Sequence, residues 1–372
     1  MFKTAAAVTG SVHKPTRRVA RLTALLSVPA ILAGMSTAAV GAVASPKATL
    51  TVPSYCLSGG QILWDHLVTC GWPGESNTGP DLSDCPGHQL VPRGNGTDPI
   101  VLSTPNEVVS CADLRGMVMI RAANVTIINS AVETRSGTGA SGSGSIKVDI
   151  GASATISHVT IYGGNTVHAC IWHEGSYLMV KAVNCFGAND GVFTWAVTSQ
   201  PGSGGDNFTI QDSYFHGFTK ETANGHDDGF QTEGSSHGLL NHNTFQMTSS
   251  ATSAIAIWDS RRSSNDITVS NNLITGGGFA IYAEDYSPGD GAPNNPSPVG
   301  GFSVTDVQFD DNSFSTLAAG CVGKYGVWFT RPTWEPYQGG PTDGWHRLGN
   351  VVLETSEKID NGNPHSDGQL CR

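Results

Sequence analysis

Phe208-Thr209-Ile210-Gln211-Asp212-Ser213-Tyr214-Phe215 is one copy of a theme that recurs along the chain. An apolar alternation meets a polar Asn, Asp or Ser step, and another apolar residue follows. Upstream the theme reads Val125-Thr126-Ile127-Ile128-Asn129-Ser130 and Ala154-Thr155-Ile156-Ser157-His158. Downstream it reads Leu239-Leu240-Asn241-His242-Asn243-Thr244-Phe245, Ile267-Thr268-Val269-Ser270-Asn271-Asn272 and Val307-Gln308-Phe309-Asp310-Asp311-Asn312. Anchored on Ile127, Ile156, Val180, Ile210, Leu240, Val269 and Phe309, the copies are spaced 29, 24, 30, 30, 29 and 40 residues apart. Alternation is the period of a half-buried strand, and a repeat of this length signals stacked copies of one unit. Asn and Asp at the step suit a tight bend, because they tolerate the left-handed conformation and bond their own backbone.

A second series lies between the copies: Gly191-Val192-Phe193-Thr194-Trp195, Gly229-Phe230-Gln231, Ala254-Ile255-Ala256-Ile257-Trp258 and Ala280-Ile281-Tyr282. Each repeat therefore carries two or three short strands. The pattern predicts an all-β fold, a single right-handed parallel β-helix (solenoid), over residues 114–330. The 46 glycines and the lack of helical periodicity agree with that assignment.

The flanks read differently. Residues 1–44 are expected to be a signal peptide: Lys3, Lys14, Arg17, Arg18 and Arg21 precede a weakly apolar stretch ending in Ala42-Val43-Ala44. A secreted, extracellular chain follows from it. Residues 45–113 hold Cys56, Cys70, Cys85 and Cys111 in Gly/Pro-rich sequence, and read as a disulfide-containing N-terminal cap over open sheet edges. Residues 331–372 read as an irregular C-terminal capping segment, with Cys371 placed to tie back to Cys321. Cys170 and Cys185 fall within one repeat and are expected to pair. All eight cysteines follow the leader, as in a chain that matures in an oxidising compartment.

Beyond residue 44 the chain carries 15 Lys+Arg against 31 Asp+Glu, a balance of −16. Such a body repels nucleic acid and anionic membranes, so neither is an expected partner. It suits a neutral polymer, or an anionic one with a bridging cation, and a monomer is expected.

Aligning the second strand series sends Ile171, Val192, Phe230, Ile255 and Ile281 inward. Trp172, Phe193, Gln231, Ala256 and Tyr282 then face outward, and so do Glu174, Trp195, Glu233, Trp258 and Glu284. The segment His226-Asp227-Asp228-Gly229-Phe230-Gln231-Thr232-Glu233 sits at the centre of this wall. Carboxylates among aromatic rings suit a sugar polymer: rings give flat faces, and paired carboxyls give acid and base. The expected catalytic set is Glu233 and Asp228 as the acid/base pair, with His226 and Asp227 assisting. Gln231, Glu174, Trp195, Trp258, Tyr282, Glu284 and Arg261 would hold the glycan. No cofactor is expected for hydrolysis. In the alternative, a uronate lyase, Asp227, Asp259 and Asp285 are oxygen donors for calcium. A third possibility is a non-catalytic glycan-binding or adhesin solenoid, marked by carboxylates spread singly along the wall.

His226, Asp228, Gly229 and Gln231 form a His-x-Asp-Gly-x-Gln element. With Ser253-Ala254-Ile255, Asn271-Asn272-Leu273 and Gly276-Gly277-Gly278-Phe279-Ala280-Ile281-Tyr282, it resembles the pectate-lyase-like right-handed parallel β-helix superfamily. The chain looks most like its exported actinobacterial members, and Cys70-Gly71-Trp72-Pro73 with Asn77-Thr78-Gly79 has the look of that group's entry cap. The resemblance spans about residues 70–330 and implies the fold. It leaves function open, because the superfamily hosts lyases, hydrolases, epimerases, tailspikes and binding proteins. Asn189-Asp190-Gly191 and Asp227-Asp228 are similar to polygalacturonase-type hydrolases, but Ser236-His237-Gly238 comes too soon and no Arg-x-Lys follows where that pattern puts it.

Overall fold

The computed structural model describes residues 53–134, 144–197, 204–219, 226–259, 261–284, 304–317, 320–331 and 346–360. The leader, Asp285 and Cys371 lie outside the described residues, as does the side chain of Glu284. The architecture is all-β, in two sheets of almost wholly parallel strands. Each central repeat gives two strands to an eighteen-stranded sheet and one to a nine-stranded sheet.

The register joins the sequence copies one to the next. Ile127 pairs with Ile156, then Val180, Ile210, Leu240, Val269 and Phe309 follow in a single column of the larger sheet. All seven side chains are fully buried. Across the interior, Ile146, Ile171, Val192, Phe230, Ile255, Ile281 and Trp328 form the matching column of the nine-stranded sheet. Removing such a side chain from water contributes about 2–3 kcal/mol, so this shared core dominates the stability.

At the polar step the backbone bends through the left-handed region, with φ of 53° at Asp212, 55° at His242, 54° at Asn271 and 55° at Asp311. The next residue in the last three copies is a fully buried asparagine, and Asn350 ends the series. Asn243, Asn272, Asn312 and Asn350 form a ladder in which each Nδ2 donates to the next Oδ1 at 2.9–3.0 Å. Each Oδ1 also accepts the backbone N–H one repeat earlier, and each Nδ2 bonds a backbone carbonyl there. The corner is thus hydrogen-bonded without water.

The ladder extends the repeat beyond residue 330, where a capping segment was expected. His346–Leu348 and Val351–Val352 pair in parallel with Val304–Asp310 and Ser313–Ser315. Arg347 occupies the core column opposite Phe309, is 2% exposed, and lies 4.9 Å over the Trp328 ring. A cation at a core position disguises this copy. The antiparallel pairing of Val351–Val352 with Glu357–Lys358 then ends the parallel order.

Residues 53–90 do not lie over a sheet end. They run along the flank of the larger sheet as a strap, from the last repeat towards the first. Gly60 N donates to Glu354 Oε1, Trp64 Nε1 to Ser315 Oγ, Gly79 N to Ala182 O, and Asp81 N to Asn129 Oδ1. Midway, Trp72 stacks on His242, whose Nε2 sits 2.8 Å from Gly71 O. Leu63 and Trp64 of the short helix Gly60–Asp65, with Leu67 just beyond it, form an apolar face that seals against Tyr214 and Leu273. Cys56–Cys70 closes the strap on itself, Cys85–Cys111 ties it to the first repeats, and Cys170–Cys185 joins two strands across the core as expected.

Replacing Asn272 by alanine removes four buried hydrogen bonds and strands their partners. Urea unfolding should show a loss of about 3 kcal/mol or more; a loss below about 1 kcal/mol would mean that the ladder does not hold the repeats in step.

Candidate functional site

The strand Asp228–Glu233 carries both members of the expected acid/base pair, and its geometry separates them. Five residues of extended chain place them about 16 Å apart, and their opposite parity sends them to opposite faces. A glycosidase pair needs about 5–9.5 Å. Asp228 and Glu233 therefore cannot flank one glycosidic bond.

Asp228 belongs to the sheet corner. It is fully buried, its Oδ1 accepts from Ser253 Oγ, and its N–H donates to Asp190 Oδ1 at 2.9 Å. Asp227, 3% exposed, holds the same corner by accepting Thr252 N–H at 2.8 Å. Gly191 and Gly229 follow the two aspartates because the chains meet there: a Cβ on Gly191 would stand 2.1 Å from Gly229 O.

Asp190 and Asp228 occupy adjacent rungs, roughly 4.8 Å apart along the ladder. Burial pushes the Asp190 carboxyl well above the usual range, and the neighbouring Asp228 charge pushes the same way. Asp190 Oδ2 lies 3.2 Å from Nε2 of His168, whose side chain is 27% exposed. The His168 ring is 5.2 Å from both the Trp172 and Phe193 rings. A buried carboxyl thereby lies within ion-pair distance of an imidazole that reaches the outer face, although Asp190 Oδ2 makes no hydrogen bond among the described residues. Neither residue was among the expected catalytic set. The signal was the register of Asp190-Gly191 with Asp228-Gly229, which also fits a plain turn.

On the outer face the expected columns are in register. Lys147, Trp172, Phe193, Gln231, Ala256 and Tyr282 form one, and Trp195, Glu233, Trp258 and Glu284 the other. Trp172 packs 4.5 Å from Phe193 and 5.4 Å from Trp195. The Arg261 guanidinium lies 3.9 Å over Trp195, and its Nε is 3.5 Å from Glu233 Oε2. Gln231 Nε2 donates to Glu233 Oε1 at 3.3 Å. Glu174, just past its strand, accepts from Trp172 Nε1 and meets Lys147 Nζ at 3.1 Å.

Trp258 is not the open platform expected of it. It is 4% exposed, with the rings of His226 and Tyr282 at 4.9 and 5.6 Å. His226 itself is exposed and covers that indole. Asp259 is fully buried, and with Asp227 tied to the corner the described members of the calcium set do not fit a cation. Among the described residues no group of three or more His, Cys, Asp or Glu is arranged to hold a metal ion.

No protein-family model, curated protein or solved structure matches this chain.

One buried group makes the fold pH-sensitive. His173 points into the core, accepts Gly175 N–H at Nδ1, and lies 3.2 Å from Asp206 O through Nε2. Desolvation lowers it to about 4, although the Asp206 carbonyl opposes the shift. The unfolded chain binds this proton first, so the stability held by neutral His173 is present above about pH 6.5 and lost as pH falls through about 4. Asp190, raised by burial, acts oppositely and favours the fold at low pH. Denaturation across that window should find the wild type losing about 3 kcal/mol relative to His173→Asn; parallel pH curves would show that His173 is not the sensor.

Proposed function

We propose that this chain is an exported enzyme that cleaves a polysaccharide on the outer face of its nine-stranded sheet, and that its repeats wind as a single right-handed parallel β-helix. In-register pairing of successive copies supports the winding. The three disulfides formed between described residues suit a chain that matures in an oxidising setting, and among the described residues no helix is long and apolar enough to cross a membrane.

The observation that carries the enzymatic reading is the contact of His168, partly open to the outer face, with buried Asp190, whose carboxyl burial pushes well above the usual range. A histidine both gives and accepts protons near neutrality, and a carboxyl behind it supplies or receives the second proton. In hydrolysis, His168 donates its outer ring proton to the leaving glycosidic oxygen while taking one from Asp190. Glu233 removes a proton from the attacking water, whose oxygen bonds to the anomeric carbon as the C–O bond breaks. The backbone positions of Phe193, beneath His168, and Glu233 are about 8 Å apart, which leaves room for that water. Trp172 and Trp195 present their rings to the sugars, and Asp228 is a positioning residue for Asp190.

Elimination from a uronate is the second reading, favoured by Arg261, whose cation on Trp195 suits a sugar carboxylate. Of its expected calcium donors, Asp227 is tied to the corner and Asp259 is buried, and Asp285 lies outside the described residues.

Digestion of a panel of polysaccharides separates these routes: hydrolysis leaves reducing ends alone, and elimination adds unsaturated ends that absorb in the ultraviolet. His168→Ala should lower the rate of cleavage about 10²–10⁴-fold. Trp195→Ala should raise KM with little change in kcat. Binding without cleavage of any polymer would make the chain a glycan-binding protein, and wild-type cleavage by His168→Ala would sink the assigned acid.

A further inference from the structure

The corner at which the strands of the nine-stranded sheet begin is laced by backbone hydrogen bonds. Asp190 N–H donates to His168 O, Thr252 N–H to Asp227 O, Gly278 N–H to Thr252 O, and Tyr325 N–H to Gly278 O at 2.7 Å. The strands that follow keep one register, from Ala169 through Asp190, Asp228, Ser253 and Phe279 to Gly326. His168 precedes the first of these residues and Tyr325 precedes the last. The two therefore stand on one edge of the outer face, five rungs or about 24 Å apart.

Tyr325 is 62% exposed, more than any other Phe, Tyr or Trp side chain among the described residues. One exposed ring is ordinary on a protein surface. This one is set apart by a fixed seat and by its alignment with His168. Gly278 lies against it, and a Cβ there would stand 3.3 Å from Tyr325 Cδ2, so only glycine leaves the ring its place. Lys324 N–H donates to Gly277 O at 2.9 Å, which clamps the neighbouring residue to the same loop. The Phe279 ring is 5.9 Å from Tyr325 and 6.1 Å from Tyr282, and so carries the aromatic surface back towards the outer columns. Lys324 Nζ, 5.0 Å from the Tyr325 ring centre, is a donor for sugar hydroxyls placed there. Between the two ends the edge lies low: Asn189 and Asp227 are buried, and Gly278 has no side chain.

We infer that Tyr325 is a distal sugar platform for the cleavage proposed above, with His168 taken as the acid of that reaction, and that the glycan lies across the rungs from one to the other. Each rung advances about 4.8 Å, close to the advance per sugar in an extended glycan, so the platform holds the chain about five sugars from the bond that breaks. The substrate class is then a long, extended polysaccharide cut within its length. Contact at Tyr325 is remote from the reacting atoms, and such contacts help hold the scissile bond in place for reaction.

A size series from dimer to decamer, prepared from whichever polymer of the panel is cut, tests the platform. The value of kcat/KM should step up about tenfold once the oligomer spans from His168 to Tyr325, at about six sugars. Tyr325→Ala should remove that step and leave cleavage of shorter oligomers unchanged, whereas Tyr325→Phe, which keeps the ring, should keep the step. Tyr325 is exposed, so neither substitution disturbs the core. A step that survives Tyr325→Ala, a rate independent of length, or a loss shared equally by short and long oligomers would each overturn the platform and leave the cleavage reading standing. Cleavage of none of the polymers would instead remove the reaction, and the platform with it.

Discussion

The asparagine ladder is the constraint on which the rest of the structure depends. Every repeat must turn a corner without leaving backbone groups unbonded in the interior. A carboxamide both donates and accepts, so Asn243, Asn272, Asn312 and Asn350 satisfy one another and the bent backbone together. Each amide reaches only one rung. Length differences therefore cannot sit at the step and are displaced into the loops between strands. Copies 29 to 40 residues apart along the ladder consequently share one register. The nine-stranded sheet keeps its own register upstream of the ladder, so His168, Asp190 and Glu233 come from distant segments yet lie on or beside adjacent strands.

Where one physical rule governs a position, the sequence was sufficient. The core column from Ile127 to Phe309 was readable because alternation leaves a buried strand little choice of face. The Cys170–Cys185 bridge was readable because both residues fall within a single repeat. Positions where two rules compete were not. Arg347 stands in a core column, and its charge hid the repeat around Asn350. The strap has no alternation, so nothing in its sequence tells a longitudinal course from an end cap; its seat is built from residues some 250 to 300 positions away. Trp258 was assigned to the correct face, but its covering by His226 depends on how a loop returns.

The candidate site shows the limits of motif proximity. Asp228 and Glu233 are close in sequence and far apart in chemistry, because an extended strand converts five residues into both distance and a change of face. Asp190 and Asp228 are far apart in sequence and adjacent in the ladder. Burial then separates the positions: the inner Asp190 carboxyl is pushed well above the usual range, while Glu174 and Glu233 sit beside Lys147 and Arg261.

The course of the strap has a consequence for biogenesis. Its first anchors are synthesised before any repeat exists, while their partner Glu354 is separated from Gly60 by 294 residues and emerges last. A chain made from N- to C-terminus can close the two short disulfide loops early, but it cannot seat the strap until the final repeat has formed. Closing so long a loop carries an entropic cost of several kcal/mol and rewards nothing on the way. The strap is thus a latch that engages only on a finished molecule. A chain cut short at its C-terminus would keep most of its core but lose the partners that anchor Gly60 and Trp64.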